Sequence, residues 1–379
     1  MILEYETLKF IWLLLVGALL IGFAITGGFD LGVAGALFMA SKNDKERRLA
    51  LASIGPTWEG NQVWFITAGG ALFAAFPLMY AAAFSGFYIA LLCVLLSLIL
   101  RPPGLDYRNK LPSPLWRTSW DVCLFLSGFV PSLLFGVAFG NLFLGIAFYY
   151  DDNLMPHPTG SFFTLVSPYA LLFGLVSLSI VLTHGALFLQ LKTEAFLNQR
   201  AKKIAQWFGI TFIISFSIAW AWTVFKIEGL QITSLPNPNE SFTPLSKEVA
   251  RGVGFWLKNY QEHALGYLAP FLSICSVLIA LIFSVCNLPG MALFFNSIAL
   301  SAVIITAGFT LYPFILPSSS HPNHSLTLWD AASSKLTLSW MLLATVIFLP
   351  IVLSYTIWVF RVMRGKVLEK DILKKNSLY

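Results

Sequence analysis

Apolar residues run along this chain in long blocks separated by short polar stretches. The stretch from Asn61 to Leu100 holds no charged residue. A membrane-spanning helix needs about 20 apolar residues, so that stretch is long enough for two. Read this way, the whole chain predicts nine spans, near 10–39, 62–79, 82–100, 122–149, 164–189, 204–225, 265–286, 289–313 and 337–360. Two junctions read as tight turns, around Pro77 to Tyr80 and around Asn287 to Gly290. Backbone polar groups in hydrocarbon must be paired within the segment, which makes the spans helices. The ten-residue alternation of an outer-membrane barrel is not seen. The pattern therefore predicts an all-α polytopic membrane protein, a single membrane domain over 1–379, with 226–264 as the one long polar insertion between spans.

Composition strengthens that reading. The 379 residues are 57% hydrophobic and 11% charged, against about 25% charged in a soluble domain. The 34 Phe and 12 Trp suit a lipid-facing surface with aromatic belts. Charge then sets the expected orientation. On one side of a nine-span path lie Lys42, Lys45, Arg47 and Arg48, then Arg101, Arg108, Lys110 and Arg117, then Lys192, Arg200, Lys202 and Lys203. With six more after the last span, that side holds 18 of the 24 basic residues. Positive charge stays in the cytoplasm, so the N-terminus is expected outside, the C-terminus inside, and the 226–264 loop outside. The net charge of +6 is topological and implies no nucleic-acid partner. Glu4 and Glu6 precede the first apolar run where a cleaved leader would be basic, so a retained first span is expected.

Little catalytic chemistry is visible. Cys93, Cys123, Cys275 and Cys286 sit in or beside spans without a CxxC pair and read as small hydrophobes, not as metal ligands. There is no phosphate loop, HExxH or nucleophile elbow. The exception is "AITGGFDLGVAG", where Asp30 is the sole ionisable side chain between Lys9 and Lys42. The topology puts Asp30, Glu59 in "PTWEGNQVW", Arg101 and Asp121 in "RTSWDVC" toward the same side. Charges within a membrane face a bundle interior or a wet cavity and take partners. Arg101 could hold Asp30 and Asp121 with its planar donor fork, leaving Glu59 as a carboxylate without an obvious partner. Plainer readings stay open. Arg101, followed by Pro102 and Pro103, could be a helix-end arginine snorkelling to the surface. Asp121 could be a helix-start acid favoured by the macrodipole.

Several long segments share a further signal: "LLIGFAITGGFDLGVAGAL", "ASIGPTWEGNQVWFITAGGALFAAFPLMYAAAFSGFYIALL", "LILRPPGLDYRNK", "SGFVPSLLFGVAFGNLFLG" and "SLTLWDAASSKLTL". In wording and order these resemble subunit II of the cytochrome bd-type quinol oxidases, over essentially the whole chain. The resemblance implies two four-helix bundles plus one peripheral helix in a bacterial inner membrane. It implies a terminal oxidase that oxidises quinol, reduces dioxygen to water and takes protons from the cytoplasm, with this chain inactive alone. Haem b and haem d would be held mainly by the partner subunit I. A structural quinone, bound lipid and small accessory subunits belong to the same expectation, and no metal ligand is expected on this chain. Asp30, Arg101 and Asp121 match a polar triad of the second subunit. Glu59 matches an acidic position, often Asp, associated with a proton route; Asp106 and Trp64 join as supporting candidates, and Trp58 as a quinone or interface candidate. One departure is Gly27, where related members often carry a further Asp. His184 in "VLTHGALF" is the one histidine within a span and reads as a hydrogen-bonded core residue. The alternatives are a proton-coupled transporter, which also places carboxylates in membrane helices, and a structural partner without a proton role.

Overall fold

The first apolar block folds as one helix, α1 (Tyr5–Gly35), followed by a single turn, α2 (Leu37–Ala40). The chain then turns into α3 (Asp44–Ile54), whose start is fixed by its own side chains: Asn43 accepts from the Glu46 backbone N–H at 2.9 Å, and Glu46 accepts from the Lys42 N–H at 2.7 Å. That arrangement is a close relative of the capping box. The next apolar block is cut by Pro77, which has no N–H and disfavours a helical residue before it. It becomes α4 (Trp58–Ala75) and α5 (Pro77–Gly86), continuing into α6 (Tyr88–Ile99) and α7 (Arg101–Tyr107). The remaining helices are α8 (Pro114–Leu144), α9 (Pro168–Lys192), α10 (Ala195–Lys226), the short α11 (Lys258–Glu262), α12 (Leu268–Val285), α13 (Pro289–Leu311) and α14 (Lys335–Val362). This is a computed structural model that describes residues 3–237, 239–240 and 242–368; Lys370, Lys374, Lys375 and the closing Ser-Leu-Tyr fall outside them.

Among the described residues, eight helical segments are long and apolar enough to cross a membrane. They answer to every expected span except 62–79. That one is α4, which starts at Trp58 and takes Glu59, Asn61 and Gln62 into its first turns, so its mean hydropathy is lower. The helices α1 and α9 form the centre. α1 packs against α4, α8, α9 and α13, and α9 against α8, α10 and α13. Where α1 crosses α9 the backbones touch, because Gly32 and Gly185 face each other without side chains: a Cβ on Gly32 would lie 2.2 Å from the Val181 carbonyl oxygen. Small residues permit such close crossings in membranes. α14 is the opposite case, with Leu338 its one buried residue.

The two ends differ. At the basic end, α3, α7 and the start of α8 are tied by ion pairs, and Gln190 at the end of α9 exchanges two hydrogen bonds with Ser284 of α12, at 3.0 and 2.7 Å. The other end carries loops with short antiparallel ladders that the apolar pattern did not foretell. These are β1 (Phe148–Tyr150) with β2 (Pro156–Pro158), β3 (Glu228–Ser234) with β4 (Glu248–Val253), and β5 (Phe314–Leu316) with β6 (Leu326–Thr327). A fully buried ion pair, Lys247 to Asp330 at 2.7 Å, clasps two of these loops. Burial pushes the Lys247 ammonium below its ordinary pKa, while Asp330 works against that shift. Lys9, near the start of α1, donates to the Trp329 carbonyl at 2.9 Å and joins the same end.

Candidate functional site

Two places concentrate chemistry: an acid–arginine cluster at the basic end and an apolar cavity among the helices. Asp30 lies on α1 with no exposed surface. Its Oδ2 accepts from the Asn61 side-chain amide of α4 at 2.9 Å, and Oδ1 has no hydrogen-bond partner among the described residues. Arg101, 2% exposed, starts α7 and donates through Nη2 to the Ser127 carbonyl of α8 at 3.1 Å. It interacts with Asp30 through space, but no direct ion pair joins them among the described residues. Pro102 and Pro103 follow the end of α6 at Ile99 and occupy the first turn of α7, where a proline's missing N–H costs nothing; Arg101 at that turn is buried and does not snorkel to the surface.

The expected fork, Arg101 between Asp30 and Asp121, is not formed. Asp121 is buried in α8 and taken by other arginines: Arg108 Nε reaches Oδ1 at 2.5 Å, and Arg108 Nη2 and Arg47 Nη1 reach Oδ2 at 3.1 and 3.0 Å. Arg108 also donates to Asp44 at 2.7 Å, and Asp44 accepts from Arg117 at 2.9 Å. The result is an interlocked network of three arginines and two aspartates. Burial opposes the Arg108 charge, yet Asp121 and Asp44 together hold its pKa above the ordinary value. Sequence reasoning counted Arg47 and Arg108 as topological charge and missed them as partners. The available signal was spacing, since Arg108 lies seven residues after Arg101 and so returns to the same helix face.

Glu59 is exposed in the first turn of α4. It lines a lateral groove of about 630 Å³ between α4 and α6, next to Trp58 and Gln62. Trp58 is 7% exposed and packs in the core near Leu105. Trp64 covers Gly22 of α1, where an added Cβ would meet the indole at 2.8 Å. Asp106 is exposed and takes no part in the cluster. At Gly27 the Phe23 ring sits where a Cβ would be, 2.5 Å away, so an acid at that place would need the ring to move. His184 is fully engaged: Nε2 meets the Ile25 carbonyl at 2.9 Å and Nδ1 the Asn296 amide at 3.1 Å. A neutral ring with the proton on Nε2 satisfies both contacts.

The cavity, about 180 Å³, lies among α1, α8, α9, α10 and α13 with mostly aromatic and aliphatic walls. Its loop end is polar. The Tyr260 hydroxyl is 2.8 Å from Thr310 Oγ1, which itself donates to the Thr306 carbonyl at 2.6 Å, so Tyr260 is the donor between them. Trp256, 3% exposed, lines the same space, and its Nε1 donor has no partner among the described residues. A buried polar group without a hydrogen bond is costly, which makes this indole N–H a ready anchor for an acceptor.

Residues 8–363 match the family model of cytochrome bd terminal oxidase subunit II. The chain is 47% identical over 378 residues to the probable cytochrome oxidase subunit 2 of Haemophilus influenzae, covering 99% of this chain and all of that one. It is 45% identical over 377 residues to cytochrome bd-I ubiquinol oxidase subunit 2 of Escherichia coli, again with 99% and 100% coverage. The bd oxidase structure from Geobacillus thermodenitrificans superposes with a TM-score of 0.69 over 94% of this chain and 98% of that one, at 14% identity, and so speaks for the fold alone.

Proposed function

The chain belongs to the cytochrome bd terminal oxidase subunit II family, and from that membership we propose that, within a quinol:oxygen oxidoreductase, it carries protons from the cytoplasm toward oxygen chemistry hosted by subunit I. The observation that carries this reading is the Asn61 bridge. One amide binds the buried Asp30 carboxylate from the helix whose first turn also bears the exposed Glu59. A solvent-reachable acid and a buried acid are thereby held on adjoining helices, with Arg101 beside the inner one. Carboxylates take up and release protons, and Arg101 is the cationic neighbour of the inner one. The nine-span arrangement in two bundles plus α14, the N-terminus outside and the C-terminus in the cytoplasm complete the proposal. The basic end faces the side that positive charge prefers.

Haem b and haem d are assigned mainly to subunit I; in support, both nitrogens of His184, the histidine within a span, are committed to Ile25 and Asn296. A structural quinone does fit the cavity: the walls suit an isoprenoid chain, and the Trp256 N–H matches a carbonyl oxygen. Trp256 would hold a quinone carbonyl there, and the aromatic walls would keep water from it. Accessory subunits and lipid are placed by the same proposal against the exposed apolar faces, α14 above all.

Glu59→Gln tests the proton role. Proton transfer through a positioned group contributes at least about 100-fold, so quinol-driven oxygen uptake is expected to fall by about that factor while haem absorbance and complex yield stay at wild-type levels. Normal oxygen uptake in the variant would return this subunit to a structural role.

A further inference from the structure

At the loop end, one edge of β1 pairs with β2 and the other is tied to the 317–325 loop. Ile146, just before β1, donates to the Pro317 carbonyl and accepts from the Ser319 N–H, both at 3.0 Å. The Phe148 carbonyl accepts from the Ser318 and Ser320 hydroxyls at 2.6 and 2.9 Å. The Tyr150 N–H, next in the alternation, meets no strand: it donates to Nδ1 of His324 at 2.9 Å. A neutral imidazole has one acceptor nitrogen and a protonated one has none. Of these ties, the last is the one that acid cuts.

The turn that carries His324, Pro322–His324, packs against β1, β4 and the Pro244–Ser246 turn. His321, on the same segment, has its ring 5.2 Å from that of His324. Lys247 follows the 244–246 turn, buried and committed to Asp330. β4 brings Glu248 and Arg251, the latter paired with Glu228 at 2.8 Å. β1 brings Tyr149 and Tyr150, and the tip beyond it Asp151 and His157. Burial first, then the charges of His321 and Lys247, push the His324 ring below its ordinary pKa. Folding thus favours the neutral, accepting form. Its contribution is complete above about pH 6.5, the ordinary histidine value, and is lost as pH falls through the lower folded value. His157 answers in the opposite sense. Its Nε2 lies 3.0 Å from Asp151 Oδ2 within the tip, and protonation strengthens a contact to a carboxylate, so the tip keeps its own turn when it leaves the loop.

We infer that His324 is an acid-sensitive latch: its neutral ring holds the β1–β2 tip, Asp151 to His157, against the 317–325 loop, and protonation releases it. The latch stands on these contacts alone; that it faces the outer medium rests on the orientation proposed above.

The test is hydrogen–deuterium exchange at the Tyr150 amide in the purified two-subunit complex, each variant compared with wild type at one pH so that the intrinsic exchange rate cancels. In detergent both ends meet the same pH, which makes the outcome independent of orientation. His324→Ala should exchange about tenfold faster than wild type at about pH 7.5, the order that one lost hydrogen bond gives, and like wild type at about pH 5. His324→Asn sets an oxygen acceptor near the Nδ1 position and does not titrate. It should match wild type at the higher pH and stay about tenfold slower at the lower. His321→Ala removes a repelling neighbour and should move the transition to higher pH. Unchanged haem absorbance shows that each complex is intact. A ratio of His324→Ala to wild-type exchange that is the same at both pH values overturns the latch, whatever the Asn variant does.

Discussion

Gly32→Leu is expected to remove assembled complex from the membrane almost completely. A side chain at Gly32 would place its first carbon 2.2 Å from the Val181 carbonyl oxygen and 2.7 Å from the Gly185 nitrogen, both backbone atoms of α9. No rotamer relieves a clash that begins at Cβ, so α1 and α9 must separate along the crossing. Overpacking a tight interior costs about 1–3 kcal/mol, occasionally more, and a backbone clash belongs at or above the upper end. At about 1.4 kcal/mol per factor of ten, that lowers the folded-to-unfolded ratio about 100-fold. The loss is compounded because α1 carries Asp30 and α9 carries His184, whose ring bonds back to Ile25 on α1. Haem absorbance per milligram of membrane protein measures the outcome. Gly69→Ala on α4, where a Cβ meets nothing within 4 Å, should leave it unchanged. Equal yields from the two variants would show that the crossing is looser than described.

The apolar blocks were legible because the bilayer imposes a length: each block has to pair its own backbone, and a helix is the economical way to do so. The break near Pro77 was legible as a turn, although Pro77 to Tyr80 themselves begin α5; what hydropathy could not read was the polar start of α4. There the block's average hides Asn61, the residue that bonds Asp30. The ladders at the loop end were illegible for a different reason, since each has two strands of only two to seven residues, too short to show an alternation. In the site, residue type was informative and pairing was not. Asp30, Arg101 and Asp121 are all buried, as their rarity in apolar sequence required, but a one-dimensional reading assigned them to one another. The basic residues nearby looked like ordinary positive-inside charge, and nothing in a count separates an arginine that sets topology from one that is 1% exposed, such as Arg108. Trp256 lay in a polar loop without periodicity, so its lone donor emerged from packing alone.

Arg108→Leu is expected to destabilise the complex by about 3–5 kcal/mol, the range for breaking a buried ion pair by removing one partner. Asp121 has no exposure and receives two of its three bonds from Arg108. Without them the carboxylate stays buried with Arg47 as its remaining donor, whose side chain is 21% exposed. Arg117→Leu is the matching control. Its ion pair is with Asp44, whose side chain is 47% exposed, and exposed pairs contribute about 0–1 kcal/mol. The double variant Arg108→Leu with Asp121→Leu should recover part of the loss, because apolar residues of similar bulk often replace a buried pair at little cost. Denaturation midpoints of detergent-solubilised complex, read at the haem bands, place the four proteins in order. If Arg108→Leu is no worse than Arg117→Leu, the network is not the lock it looks like. A functional consequence separates this from simple unfolding. α7 begins at Arg101 and hands over to Arg108 at its other end, so the network anchors the short helix that holds Arg101 near Asp30. Loosening that anchor frees Arg101 from its place, so the surviving Arg108→Leu complex should show oxygen uptake per haem below wild type, whereas surviving Arg117→Leu complex should turn over normally.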